Sequence, residues 1–543
     1  MTRAEQTVRH FRHTLLWPLQ LEVAGDDRRQ PWLRLADCPP WRRVEDEFTA
    51  DPAEFKERHY KEFVTFLPYV QRFLYGESRS PRRAADDPPS DPPMQVLRRH
   101  DLAAIRAVLR EGEAPVTLAV AHVDLYFFRD LDVVLLNIEL HADDLPLSTV
   151  EELLYRFGRA YPSGWDEQGN GVHNLHAVEL LGHDGQVLAV SDSGARDKFL
   201  HFVCAHRAPC LAAHWAWLLR PLALDHSADE GALRYRLIEY HRMPVMAYLA
   251  LDDPRALARE DFIRLALISH VRPGDPLPWT DPAIVEFERH YCDDRYWTDS
   301  DAGPNTRFLC SGPALLVVGE AGDAYFRDRE RGMLAQFRHQ YFLLFLIAHF
   351  HRAALLVFSD RLVDAINDLD IGDADSVRRF KRRIRAVFAT FLRFTHRYWF
   401  HELSERGQVQ SLFRRAAGQL GNDALFAEVK EQIRDMSQYL DSDSQRRQSN
   451  TVVRLTVVTV FGLITTVVTS FFGMNLLALA DVPLAEKIHY FIIGTVVFTG
   501  LVFFAIARSK RLSDFLETLS DERLGVFAKA AAFADVLFVR RKR

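Results

Sequence analysis

Two stretches near the C-terminal end differ from the rest of the chain in how apolar residues are distributed. Leu455 to Phe472 holds no charged residue, and at 1.5 Å per residue a helix of this stretch reaches about 27 Å. Gly473 and Met474 complete a membrane-length span over 455–474, and a second uncharged stretch, 488–507, follows after a short loop. The pattern predicts a two-span transmembrane α-helical hairpin over 455–507. Upstream, apolar and charged residues mix at helical spacing over the first 75 positions, and Ser78 to Pro93 is rich in Pro, Asp, Arg and Ser. This predicts an N-terminal helical segment and linker over 1–94. Short runs with branched residues, Val116 to Val123, Val133 to Ile138 and Gln186 to Val190, predict strands in an α/β cytosolic domain over 95–331. From Gly332 proline disappears until Pro483, and a long helical cytosolic region is expected over 332–454. Within it Phe342 to Phe358 is nearly long enough to span, but His349, His351 and Arg352 lie at its centre. An arginine there would cost on the order of 3 kcal/mol in a bilayer, which favours a buried soluble helix.

Charge sets the orientation. Arg446, Arg447 and Arg454 precede the first span and Arg508, Lys510 and Arg511 follow the second, whereas the loop between offers only Lys487 beside Asp481 and Glu486. By the bias of basic residues to the inner side, both termini face the cytosol, in a multi-pass protein of the inner (plasma) membrane. The segment 508–543 is expected to be a basic amphipathic cytosolic tail. No secretory signal is expected at the N-terminus, where Arg, His and Glu interrupt the apolar residues. A mean hydropathy of −0.15 and a net charge of −6 hide the local apolar spans and show no continuous basic footprint, so nucleic acid is not an expected partner. Five scattered cysteines do not form a disulfide framework and fit a reducing compartment. No phosphate-binding loop, nucleophile elbow or HExxH motif is present, and an enzyme is not expected.

The first span carries chemistry of its own. Val452, Thr456, Thr459, Leu463, Thr466, Ser470 and Gly473 step by four and three residues and form one stripe on a helix, rich in hydroxyls. One helix cannot enclose water, so the stripe lines a pore only if several copies surround an axis. The hydroxyls could equally bond their own backbone while small residues aid packing. Val452, Leu455 and Leu463 are candidates for an apolar gate that closes by dewetting. His201, Cys204, His206, Cys210 and His214 are dense in metal-ligand types, but their spacing fits no regular zinc site. Asp435, Asp441 and Asp443 are candidate carboxylates for a regulatory ion, on what reads more simply as a solvated helix face. His396 and His401, among aromatic residues, are expected to be packed.

Phe472-Gly473-Met474-Asn475, placed at the outer end of the first of two C-terminal spans after a long charged helix, resembles the signature of the CorA family of magnesium and divalent-cation transporters. The resemblance covers roughly Gly332 to Arg511. It implies a funnel-shaped homopentamer in the lipid bilayer whose first spans line the pore through Thr456, Thr459, Leu463, Thr466 and Ser470. It further implies an entrance built by Gly473, Met474 and Asn475, with Asn475 meeting the hydrated ion and Gly473 permitting the turn. Mg2+ would be the cargo and, bound between subunits, also a regulatory ion; no cofactor is implied. The loop after Asn475 departs from the family pattern, lacking Met-Pro-Glu. A zinc or other transition-metal transporter of the same superfamily, proton-coupled or passive, and a membrane-anchored regulatory domain remain alternative readings.

Overall fold

A computed structural model describes residues 5–22, 30–36, 38–44, 57–76, 92–239, 242–269, 277–298, 304–370 and 373–439, and a spaced set of helical positions between 452 and 504. The chain divides into two compact units, 1–433 and 434–543.

In the first unit fourteen described strands form one mixed sheet, most of whose neighbours run antiparallel. Its middle is the strand Thr7–Glu22, buried along nearly its whole length. One edge of that strand pairs antiparallel with Val133–Pro146, from Thr7 opposite Pro146 to Gln20 opposite Val133. The other edge is shared by Val245–Leu251 and Leu233–Leu237. Beyond Val133–Pro146 lies Val116–Phe128, and beyond Val245–Leu251 the strand Ala314–Glu320 runs parallel to it. The strands expected near 116, 133 and 186 are present, the last as Val187–Val190 at the end of the sheet.

The helical reading of the N-terminal stretch does not hold at residues 7–22. The run Leu15-Leu16-Trp17-Pro18-Leu19 is continuous because a central strand is covered on both faces, which erases the alternation that would have announced it. Shorter helices do occur downstream, at Glu57–Phe63 and Pro68–Tyr75. The Pro-rich linker around Ser78 to Pro93 lies largely outside the described residues.

Phe11, Leu15, Trp17 and Leu19 join one core with Val150 and Leu153 of the helix Leu147–Arg156, Trp215, and Phe262 of the helix Arg259–Leu267. The helix Phe342–Asn367 packs against Thr7–Glu22 and Val133–Pro146. Phe350 stacks on Phe128 with centroids 3.8 Å apart. This helix is apolar almost all round because the sheet and the helices Ala374–Arg397 and Gly407–Gln419 all pack against it. Together with the turns before it, Met333–Asn367 is long and apolar enough to cross a membrane, yet it is mostly buried inside the unit. His349 and His351 are buried, and Arg352 donates to Glu239 and to the carbonyl of Leu420. Those two acceptors satisfy guanidinium donors that lipid would leave unmet.

The helix Ala374–Arg397 begins at Asp373, whose carboxylate accepts from the backbone N–H groups of Asp375 and Ser376. Val377, Phe380, Ile384, Val387, Phe391 and Phe394 recur at three and four residues and are its buried face. The arginines between them are exposed. Phe426, in the helical stretch 422–439, stacks on Trp399 at 4.3 Å.

Candidate functional site

Every described position from 452 to 470 is helical, and the stripe marked by the four-three spacing is among them: Val452, Thr456, Thr459, Leu463, Thr466 and Ser470. All six side chains are exposed, with Val452 at 58% and Leu463 at 67%, as is Leu455 at 68%; Val458 and Gly462, on the neighbouring column, are partly covered. The exposure is that of a single chain.

The threonines have a defined hydroxyl geometry. Thr456 Oγ1 donates to the carbonyl of Val452 at 2.9 Å, Thr459 Oγ1 to Leu455 at 2.8 Å and Thr466 Oγ1 to Gly462 at 2.9 Å. The backbone-bonded reading of these residues is therefore realised. It does not remove them from ion chemistry. A threonine has one hydroxyl proton, and once that proton is committed to the i−4 carbonyl the oxygen offers only lone pairs to whatever lies beside the helix. Such an oxygen accepts from water, and it suits the outward-pointing protons of a hydrated cation.

Gly473, Met474 and Asn475 lie outside the described residues, as does the tail from Ser513. In the second stretch, positions 484–486, 488, 489, 492, 493, 496, 497, 500 and 504 are helical, and His489 is exposed.

The remaining candidates disperse. Among the described residues no group of three or more His, Cys, Asp or Glu side chains could hold a metal ion. His201, Cys204 and His206 sit on the exposed helix Arg196–His206, whereas Cys210 and His214 are buried beyond it. Burial pushes the Cys210 thiol up and holds His214 down to about 3. The five cysteines are free, and the described structure has no disulfide. Asp435 is exposed, and Asp441 and Asp443 fall outside the described residues. His396 and His401 are exposed rather than packed, because the buried side of the helix before them is taken by Phe391 and Phe394.

One polar constellation escaped the sequence reading. His10, Arg12, His122, Glu139, His141 and Asp143 occupy alternate positions on three adjacent strands, and Arg338 reaches them from the π-helical turn Phe337–Tyr341. The signal available was the alternation itself, in His122-Val123-Asp124 and Glu139-Leu140-His141-Ala142-Asp143 within otherwise apolar strands.

Residues 373–508 match the family described as CorA-like Mg2+ transporter protein. The matched span starts at Asp373, the cap of the arginine-bearing helix, and takes in the helical stretch 422–439, the hydroxyl stripe, Gly473-Met474-Asn475 and both apolar stretches. No curated protein and no solved structure matches the chain significantly. Over that span, about a quarter of its length, the chain is similar to the CorA-like family.

Proposed function

We propose that this protein is a membrane channel or transporter for divalent cations that admits hydrated Mg2+ to the cytosol down the membrane potential. The observation that carries the reading is the row of threonine oxygens at four-three spacing, each with its proton turned inward to the helix backbone. A spacing that averages 3.5 residues keeps one side of a helix toward a common axis when copies associate. Five first spans around such an axis would present the hydroxyl oxygens to the lumen, with Leu463 forming an apolar ring between Thr459 and Thr466. Val452 and Leu455 would form a second constriction near the cytosolic end.

Magnesium gives up its water reluctantly and is commonly held through it. A wall of hydroxyl acceptors with no carboxylate, imidazole or thiol between Leu455 and Asn475 neither strips nor traps the ion. Entry of a divalent ion gains about 4.6 kcal/mol per 100 mV, twice the single-charge value, so the potential suffices as driving force. In this reading Gly473, Met474 and Asn475 form the outer mouth, both termini are cytosolic, and the assembly is a homopentamer.

The test is Mg2+ flux in proteoliposomes of the purified full chain under an imposed potential. Voltage-dependent Mg2+ entry is expected, and an intact oligomer that conducts no divalent cation would overturn the reading in favour of a membrane-anchored regulatory domain.

A further inference from the structure

The helices Phe342–Asn367 and Ala374–Arg397 form a hairpin that carries opposite charge on its two outer sides. Phe358 packs on Phe391 and Phe394 with centroids 5.4 and 5.5 Å apart, and nearer the turn Arg383 pairs with Asp368. These contacts set an antiparallel register in which Asp364 lies level with Arg385 and Asn367 level with Arg382. Leu362 and Ala365 are buried on the first helix here, and Val377, Phe380, Ile384 and Val387 on the second. At 3.6 residues per turn, the side opposite is Asp360, Val363, Asp364 and Asn367 on the first helix and Arg378, Arg382, Arg385 and Ala389 on the second, all exposed. The helices turn their buried sides to each other. The acidic stripe and the basic stripe therefore face opposite ways at the same height.

Most charges near the turn are answered within the chain. Asp373 caps the second helix and meets Arg379 at 3.6 Å, Asp375 meets Arg378 at 3.2 Å, and Arg361 pairs with Asp132. Farther along, Arg393 and Arg397 share Asp130 at 3.6 and 3.5 Å. Arg236, whose charge reaches Asp360 from the strand Leu233–Leu237, is held by Asp225 at 2.9 Å and Glu22 at 3.2 Å. Asp360 and Asp364 on one side, and Arg382 and Arg385 on the other, join no side-chain ion pair or hydrogen bond with any described residue. The exposed Glu428, Lys430 and Glu431 of the next helical stretch pair with neither stripe. Burial, and then Asp364, raises the Asp360 carboxyl above its usual range against the pull of Arg236. Large apolar side chains accompany both stripes: Val363 and Ile366 are 52% and 49% exposed beside the aspartates, Phe388 and Leu392 44% and 46% beside the arginines. Four of these along one hairpin make a patch and not scatter.

We propose that the two stripes are the joint between neighbouring copies of this chain, the acidic side of one hairpin seated on the basic side of the next, with Asp364 against Arg385. It rests on the reading that copies surround a common axis, and adds which surfaces meet. Charge selects the occupant. An anionic lipid surface would attract the basic stripe and repel the acidic one, whereas a second copy answers both. Contact between two different patches is head-to-tail, and such contacts close into a ring when successive copies turn without rising. Stripes at one height on opposite sides of a hairpin meet that condition when the axis runs along the hairpin.

The experiment uses the purified full chain in detergent micelles, with the exposed Cys204 and the half-buried Cys38 replaced by serine. Asp364→Cys and Arg385→Cys are introduced singly and together, and a short bismaleimide is added. With both present, bridges between copies should give a ladder of multimers on denaturing gels. Each single variant should run as a monomer, because like positions stay apart in a head-to-tail contact. A second arm reverses charge. Asp364→Arg and Arg385→Asp alter exposed side chains, so the melting temperature should stay near the parent's. Each should raise the concentration at which the oligomer dissociates on dilution by about tenfold or more, and the two combined should restore it. An intact oligomer that forms no ladder, or a bridged dimer from either single variant, overturns the proposal. Failure of the combined variant to restore assembly overturns it too, and leaves the basic stripe to an anionic lipid surface. Light scattering separates the two readings: an intact oligomer without bridges sinks this joint alone, and a parent chain that is monomeric sinks the multi-copy pore with it.

Discussion

His351 Nε2 donates to the main-chain carbonyl of Tyr398 at 2.6 Å, fastening the middle of the helix Phe342–Asn367 to the residue that ends Ala374–Arg397. Both groups are buried, and a carbonyl can only accept, so the imidazole proton is on Nε2. His351→Phe fills the space but strands that carbonyl. A loss of about 1–3 kcal/mol is expected, read as a lower denaturation midpoint with unchanged slope. Equal midpoints would show that the bond is dispensable.

Acid should unfold the first unit steeply. Burial holds His13, His214, His349 and His351 each at about 3 in the folded chain. Because these values lie below the unfolded value of 6.5, the folded state resists protonation. Its advantage is complete above pH 6.5 and is lost as pH falls toward 3, at about 1.4 kcal/mol per pH unit for each histidine. His13 makes the cleanest probe, since neither of its nitrogens has a hydrogen-bond partner. His13→Phe should be nearly neutral at pH 7.5 and more stable than the parent at pH 5. An acid slope as steep as the parent's in this variant, with His214, His349 and His351 still present, would rule the mechanism out for His13.

Glu151 works in the opposite direction. It is buried on the helix Leu147–Arg156 with both carboxylate oxygens unpartnered, while the nearby Arg264 is engaged with Asp261 at 2.6 Å. Burial, reinforced by Asp261, raises its pKa to about 8. A folded value above the unfolded 4.5 means that the contribution is full below pH 4.5 and is lost as pH rises through 8. Glu151→Gln cannot ionise. It should exceed the parent in stability at pH 8 by at least about 1.4 kcal/mol, the worth of one pKa unit, and match it at pH 5. Melting curves at the two pH values decide this.

What could be read from the sequence follows from how local each signal is. The hydroxyl stripe was legible because residues three and four apart on one helix are neighbours by construction, and the described positions from Val452 to Ser470 are helical as that spacing requires. The strands at 116 and 133 were legible because branched residues run together there. Thr7–Glu22 was not, since a strand packed on both faces has no polar side to reveal its period, and its pairing with Val133–Pro146 spans more than a hundred residues. The charged cluster on the sheet is more hidden still. His10, Glu139 and Arg338 are neighbours only after register and the π-helical turn have been set.

Leu463 stands between Thr459 and Thr466 on the exposed stripe, the apolar exception among hydroxyls. If copies of this helix surround a pore, five leucine side chains make a ring that excludes water when the pore narrows. Leu463→Ala widens and wets that ring. Basal Mg2+ flux in proteoliposomes should rise severalfold, with the oligomer intact by size-exclusion chromatography. Flux that stays at the parental basal level would place Leu463 against lipid instead.

The ion and its mode of entry are tested together at Asn475. Its amide, at the mouth implied by the Gly473-Met474-Asn475 motif, would meet the ion while the water shell is still complete, so it contributes recognition and not dehydration. Asn475→Ala should therefore sharply reduce Mg2+ flux without disturbing assembly, and a mimic of the hydrated ion such as cobalt hexaammine should inhibit the parent. Zinc asks for other chemistry, since it prefers imidazole, thiolate or carboxylate ligands, and the sequence from Leu455 to Asn475 has none. Proton coupling would call on a titratable group, and that stretch has none either. His489, on an exposed helical position of the second stretch, is the nearest imidazole in sequence after the motif. Flux of Mg2+ should follow the membrane potential and ignore an imposed pH gradient. Zinc uptake that requires an inward proton gradient, with no Mg2+ flux at the same voltage, would instead assign the protein to proton-coupled zinc transport and direct the next substitution to His489.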